Sequence, residues 1–402
     1  MKFGLRNTRA ILRDAGNPER TFPSIHIAGT NGKGSTASFL ASIFMEAGFR
    51  TGLYTSPHLV RFTERIRIDG VEIPEERLVS YAEQMRPMVE SVSATFFEAT
   101  TCIAFQYFAD EHVDIAIVET GLGGRLDSTN VLLPLVSIIT TIGFDHQEYL
   151  GNTIRSIARE KGGIIKRHVP LVTAVSDPAA LDTLRRIARR RAAPFHRVTG
   201  RQVVRVGRKA GLAGAHQKIN AALAVAALDI VFRRGKPTRL LHLPDAGAVK
   251  RGLANVRRNT GLRARLESWH GNKRILLDVA HNPDGIRTLV NALRRGATEN
   301  LVVVFGVMKD KDYVSMVNQL LPLATVFVMV SPSTRRALTT RELVQVVGEA
   351  RGVVVKARSV RHGVVRAMRM AGKKGRVLIT GSHYVVGEAL QYLEKQRNEH
   401  AR

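Results

Sequence analysis

Between an apolar run, Ile25-His26-Ile27-Ala28, and a helical pattern, Ala37 to Ala47, lies Gly29-Thr30-Asn31-Gly32-Lys33-Gly34-Ser35-Thr36. Strand, glycine-rich turn and helix in that order point to the carboxyl end of a buried parallel strand. Glycines let backbone N–H groups turn inward, the helix N-terminus adds partial positive charge, and Lys33 adds a full one. The stretch reads as a phosphate cradle for a nucleoside triphosphate, with Mg²⁺ near Ser35 or Thr36. Its spacing departs from the common P-loop, because Gly32 follows Gly29 closely and an extra glycine precedes Ser35.

The same alternation continues along the chain. Apolar runs at 24–28, 51–55, 114–119, 136–141 and 170–175 read as strands. Helical patterns at 33–47, 75–89, 97–111, 154–161 and 181–191 separate them. Alternating strands and helices imply an α/β fold with a largely parallel sheet and helices on both faces. Asp69-Gly70 marks a small hairpin over 65–71. Residues 216–232 form an alanine-rich helix, and 257–266 read as a basic, turn-like boundary. A second series of strands follows at 275–279, 301–306, 325–330, 353–356 and 377–380, ending in a helix over 386–395. At 402 residues two domains are expected. The division is a P-loop-type parallel-sheet ATPase domain over 1–258 and a smaller doubly wound, Rossmann-like domain over 259–402.

Charge and cysteine usage narrow the setting. The net charge is +27, and residues 185–209 hold many arginines and no acidic residue. Aromatics are sparse there, and no nucleic-acid-binding signature accompanies the charge. The expected role is attraction of small anionic substrates, not nucleic acid. No apolar run is long enough to span a bilayer, and Met1 to Arg20 lacks the apolar core of a leader peptide. The single cysteine, Cys102, reads as a buried small hydrophobe in a reducing cytoplasm.

Ligand sites of parallel sheets lie at the carboxyl ends of strands. Glu119 closes one strand and precedes Gly121-Leu122-Gly123-Gly124-Arg125-Leu126-Asp127. Asp145-His146 and Ser56-Pro57-His58 follow two others. Mg²⁺ prefers oxygen ligands and, when carried by phosphates, needs only one or two from the protein. Glu119 suits that role. His146 taken alone reads either as a less common ligand or as a hydrogen-bonded structural histidine.

A run of motifs then shows a family resemblance. They are HIAGTNGKGST at 26–36, TSPHL at 55–59, TFFE at 95–98, ETGLGGRLDSTN at 119–130, and DH, LGNTI and EKGGIIK within 145–166. HQKIN at 216–220, DVAHNP at 278–283, FGVMKDKD at 305–312 and TGSHYVVGE at 380–388 continue the series. In this order, and over nearly the whole chain, they resemble the folylpolyglutamate synthase and dihydrofolate synthase family of the Mur-ligase superfamily. The resemblance implies an ATP-driven ligase that adds L-glutamate to dihydropteroate or to the γ-carboxylate of a reduced folate, through an acyl phosphate.

The resemblance also implies roles for residues. Asn31, Gly32, Lys33, Gly34, Ser35 and Thr36 would grip the ATP phosphates, with Lys33, Lys161 and His146 serving catalysis. Ser56, Glu119, His146 and a CO₂-carbamylated Lys161 would hold two Mg²⁺ ions. The residues alone leave Lys161 open as an ordinary lysine in an ion pair with Glu160 or with a partner on another element. Asn220, Arg265, Asp278 and His281 would bind the nucleotide across a cleft between the domains. The residues alone leave Asp278 as a strand-end cap and His281 as a surface turn residue. Thr95, Phe96, Phe97, Glu98, Leu126, Asp127 and Ser128 would form the pterin site, at least one phenylalanine being core. A monomer acting on small molecules, with neither nucleic acid nor membrane as partner, is expected.

Departures from the family pattern bear on substrate preference. Arg263-Ala264-Arg265 stands where Pro-Gly-Arg is common, Gly162 replaces an alanine, and Val279 stands where glycine is common. Residues 194–214 form a short, basic connection, and the N-terminus begins late relative to a helix that helps cover the pterin site. Alternatives are a single-activity member of the family, a cell-wall Mur ligase, which TFFE and GLGGRLD argue against, and a basic ATP-dependent nucleic-acid binder.

Overall fold

A computed structural model describes residues 4–233, 242–270, 272–294, 300–347 and 353–400. The chain divides into two compact units: residues 1–58 with 62–262, and residues 59–61 with 263–402. The sequence places the boundary a few residues earlier, in a turn-like segment at 257–266. Those residues instead include a short helix, Val256–Thr260, closed by Gly261 with φ 65°. Its sequence lacks an apolar period because polar contacts hold it. Glu46 collects the side-chain amides of Asn255 and Asn259 and the guanidinium of Arg251.

The first unit is built on an eight-stranded sheet. Its strands are β1 (Ser24–Ala28), β2 (Thr51–Tyr54), β3 (Ile66–Ile68), β4 (Val71–Glu72), β5 (Ile115–Glu119), β6 (Val136–Ile139), β7 (Leu171–Thr173) and β8 (Phe195–Arg197). The spatial order is β4-β3-β2-β5-β1-β6-β7-β8. All neighbours are parallel except β2-β3 and β3-β4, the expected hairpin. Side chains alternate across the pleat, so Ile115 and Ile117 enter one core while Ala116 and Val118 enter the other. With both faces covered, the central strands read as continuous apolar runs.

The helix Lys33–Glu46 is buried between the sheet and the helices Ala215–Arg233 and Ala246–Ala254. The opposite face carries Arg6–Asp14, Glu75–Ser91 and Phe96–Asp110 beside one stretch of the sheet, and Ile154–Lys161 with Pro178–Arg190 beside another. Cys102 is fully buried there, and burial pushes its thiol pKa up, as suits a small core residue.

The second unit has a six-stranded sheet of β9 (Glu267–Trp269), β10 (Asn272–Leu277), β11 (Leu301–Phe305), β12 (Val326–Met329), β13 (Val353–Lys356) and β14 (Arg376–Thr380). The order is β13-β12-β11-β14-β10-β9, with β9 alone antiparallel. Helices cover both faces over two apolar cores. The final helix, His383–His400, is longer at both ends than the expected one. Among the described residues no helix is long and apolar enough to cross a membrane.

Candidate active site

The sheet brings the predicted loop and its neighbours together at the carboxyl ends of β2, β5, β1 and β6. Ile27 lies opposite Glu119 across the β1-β5 pair, and Ala28 lies opposite Ile139 across β1-β6. Gly29 has φ 152°, and a Cβ there would lie 1.9 Å from Thr140 Oγ1. Gly32 has φ 90° and closes on Asn220, whose Oδ1 would meet a Cβ at 2.5 Å. No side chain fits at either position.

Threonines after β6 pin the loop. Thr140 Oγ1 donates to the Asn31 carbonyl at 2.7 Å, and the Asn31 amide donates to Thr141 Oγ1 at 3.0 Å. The Gly143 amide donates to Thr30 Oγ1 at 3.0 Å. Sequence reasoning assigned Thr140 and Thr141 to the strand, but the strand ends at Ile139 and both turn to the loop. A threonine pair at the carboxyl end of a parallel strand, beside a glycine-rich turn, was the available signal.

Gly32 precedes the helix Lys33–Glu46, which leaves the amides of its first turn facing the cradle. Lys33 Nζ lies 3.8 Å from Glu119 Oε1 and donates to the Thr30 carbonyl at 3.4 Å. Glu119 is buried, and its Oε2 accepts the Ser56 backbone N–H at 3.2 Å. Ser35 and Thr36 are buried at the start of the helix. The Thr36 hydroxyl has no hydrogen-bond partner. A buried unpaired hydroxyl is costly, so this one fits a phosphate oxygen or a cation's water shell.

Among the described residues no group of three or more His, Cys, Asp and Glu side chains forms a metal cage. One buried carboxylate beside a phosphate cradle is instead what a phosphate-carried divalent ion needs. His146 caps the short helix Gln147–Leu150 with φ 49°, and its amide donates to Asp145 Oδ1 at 2.9 Å. Lys161 is buried at the end of its helix and donates to the Gly29 carbonyl at 2.9 Å. Its neighbour Glu160 is engaged by Arg125, at 3.0 Å. Ile187 and Leu184 close over Gly162, and an alanine Cβ there would meet Ile187 Cδ1 at 2.6 Å, so that side-chain tip would have to move aside.

The expected acceptor residues lie in one region but differ in what they do. Thr95 and Glu98 form a capping box at the start of Phe96–Asp110, so both side chains serve the helix end. Phe97 is half-buried, against Gly121 and 6.1 Å from Tyr54. Phe96 is 64% exposed, edge-on to Phe62, with the Arg65 guanidinium 5.8 Å from both rings. Asp127 is buried and accepts the amides of Leu122 and Thr129 and the Thr129 hydroxyl. Burial pushes its carboxyl pKa up, while the Thr129 hydroxyl and the amides of Leu122, Thr129 and Gly121 oppose that. Ser128 is buried beside Thr101, and Leu126 is half-exposed.

In the second unit, Asp278 follows β10 and accepts the amides of Leu266 and Ala280 at 2.8 and 2.9 Å. Burial raises its pKa, with those amides and Arg265 opposing. His281 Nδ1 donates to the Val279 carbonyl at 2.9 Å, and its ring lies 5.1 Å from that of His383. Arg265 Nη1 reaches the Ala264 carbonyl at 3.2 Å. Ala264, standing where glycine is common, has φ 55° and is buried. The left-handed turn is thus kept despite the Cβ.

Comparison with known proteins bears on the family and the fold. The Mur ligase middle domain matches residues 27–202, and the Mur ligase glutamate ligase domain matches residues 264–383. The dihydrofolate synthase/folylpolyglutamate synthase of Bacillus subtilis is 36% identical, over 98% of this chain and 96% of its own. Folylpolyglutamate synthase of Mycobacterium tuberculosis, solved with ADP and AMPPCP, superposes with a TM-score of 0.85 at 32% identity, covering 96% and 95% of the two chains. A bifunctional folylpolyglutamate synthase/dihydrofolate synthase solved with Mn, AMPPNP and L-glutamate bound gives 0.83 at 27%, covering 98% and 95%.

Proposed function

The chain belongs to the dihydrofolate synthase/folylpolyglutamate synthase family of Mur ligases, and on that premise we propose that it joins L-glutamate to dihydropteroate and to the γ-carboxylate of reduced folates. An acceptor carboxylate oxygen attacks the γ-phosphorus of ATP, and ADP leaves. The glutamate amine then attacks the acyl carbon of the acyl phosphate. Phosphate departs with the C–O electron pair, and the amine gives up a proton. The observation that carries the reading is one cluster around the phosphate cradle. Lys33, Glu119, the Ser56 amide and the unpartnered Thr36 hydroxyl meet there at neighbouring strand ends.

Each residue then has a task. The amides of residues 31–36 and Lys33 hold the phosphates, and Lys33 offsets charge that builds as the phosphoryl group transfers. Ser56, Glu119, His146 and a carbamylated Lys161 would hold two Mg²⁺ ions, whose chemistry is to neutralise the shared phosphoryl oxygens. Asn220, Arg265, Asp278 and His281 bind the nucleotide. Phe96 and Phe97, with residues 126–128, receive the pterin, and Thr95, Glu98 and Asp127 shape that surface. The exposed arginines between 185 and 209 draw in anionic folates, a long-range effect that salt weakens. A cytoplasmic monomer, without nucleic acid or membrane as partner, belongs to the same reading.

The test is ADP release with dihydropteroate and L-glutamate both present and each omitted, with mass spectrometry of the product. Equal amounts of ADP and dihydrofolate are expected. ADP release that needs neither substrate, or that single-stranded DNA stimulates instead, would overturn the proposal. A reduced folate as second acceptor shows whether both activities reside in the chain.

A further inference from the structure

His26 lies in β1 just ahead of the phosphate loop, and its side chain is wholly buried. It points away from Ile25 and Ile27, which face the other core. Its Nε2 lies 2.8 Å from the hydroxyl of Thr129. That hydroxyl bonds in turn to Asp127 Oδ1, which also accepts the Thr129 amide at 3.1 Å. Asp127 Oδ2 accepts the Leu122 amide at 2.8 Å.

The direction of the chain follows from proton counting. The amides of Leu122 and Thr129 favour the accepting form of Asp127 against the burial that raises its pKa, and with that form Thr129 spends its one hydroxyl proton on Asp127. Thr129 can then only accept from His26, which must carry its proton on Nε2. The other ring nitrogen, Nδ1, is buried with no partner, as suits a bare lone pair in this tautomer. Burial, helped by the Lys166 charge, lowers the His26 pKa to about 3, so the ring stays neutral. The result is one fixed sequence of donors: His26 Nε2–H to Thr129 Oγ1–H to Asp127.

We propose that His26 is a positioning residue for the acceptor: through Thr129 it locks Asp127, and Asp127 holds residues 121–128 in the shape that receives the pterin. The inference rests on the ligase reading above. His26 touches neither reacting group. Without its donor, the Thr129 hydroxyl is free to turn and Asp127 loses a fixed partner. The turn then loosens, while β1 and the phosphate loop keep their own threonine anchors.

The test compares His26→Leu, His26→Gln and Thr129→Val. Glutamine offers an N–H near the Nε2 position, and valine removes only the hydroxyl. Losing one buried hydrogen bond predicts an acceptor KM raised about tenfold in His26→Leu and in Thr129→Val, with kcat and the MgATP KM nearly unchanged. The double variant is expected to be no worse than either single one, because both break the same chain. His26→Gln should restore most of the loss. Unchanged acceptor KM in folded variants, additive effects, or a matching change in MgATP KM would overturn the proposal. If His26→Leu does not fold, Thr129→Val decides alone. Hydrogen exchange at the Leu122 and Thr129 amides, faster in both apolar variants, reads the same chain without turnover. It separates this inference from a wild-type chain that simply lacks ligase activity.

Discussion

The amine of Lys161 donates a 2.9 Å hydrogen bond to the carbonyl of Gly29. This ties the end of the helix Ile154–Lys161 to the first residue of the phosphate loop, while Glu160 turns to Arg125. On the ligase reading above, the Lys161 amine would take up CO₂ and release a proton to give a carbamate, which would supply anionic oxygens beside the phosphates. Lys161→Ala is expected to lose activity by on the order of 10²-fold, and acetate or formate to restore part of it. Wild-type protein equilibrated with ¹³C-bicarbonate should show a carbamate resonance that the variant lacks. An active variant that ignores both acids would count against the modification.

Lys33 is the cation of the loop, held between the Thr30 carbonyl and Glu119. Lys33→Ala should keep the fold, because the loop is anchored by Thr30, Thr140 and Thr141. Its ligation rate should fall about 10²- to 10⁴-fold, the usual worth of a charge aimed at a transferring phosphoryl group. Single-turnover ADP formation checks this, and near-normal turnover would remove Lys33 from the chemistry.

Much of this was legible in the sequence, for a physical reason. The central strands are buried on both faces, so their apolar runs are continuous, and their parallel pairing follows from the alternation with helices. What escaped were elements held by polar groups or by few residues. The helix Val256–Thr260 hangs on Glu46 and Asn259, and β8 has only three residues. The helix Gly200–Gly207 starts with a Thr199–Gln202 capping box that the run of arginines obscured. Within the site, motif order picked out Lys33, Glu119 and Ser56, which the fold brings together. It did not show that Thr95 and Glu98, expected at the pterin site, also brace the start of a helix. That depends on where a side chain's hydrogen bonds go.

Glu119 and His146 should separate activity from folding. Glu119→Gln keeps a group that accepts the Ser56 amide but removes the charge facing Lys33. His146→Ala keeps a left-handed residue at φ 49°, where the strain is about 1–2 kcal/mol with either side chain. Both variants should melt cooperatively near the wild type and lose ligation. Manganese binding followed by its paramagnetic signal in the presence of ATP should weaken in Glu119→Gln. If either protein is unfolded at room temperature, that residue supports the fold and the metal lies elsewhere.

His26 also predicts how acid acts on the fold. Unfolded, it titrates near 6.5; folded, burial holds it down at about 3. Between those values the unfolded chain binds a proton that the native chain refuses. The stability this neutral ring allows is therefore complete above about pH 6.5 and is lost as the pH falls, by about 1.4 kcal/mol per unit. Carboxylates titrate in the same window, but they are common to wild type and variant. His26→Gln keeps a donor for Thr129 and has nothing to protonate. Its unfolding free energy should fall less steeply with acid by the equivalent of one proton, measured by urea melts from neutral pH to about 5. Parallel pH profiles for the two proteins would mean that the native state tolerates a charged His26, and the neutral ring with its bare Nδ1 would fall with it.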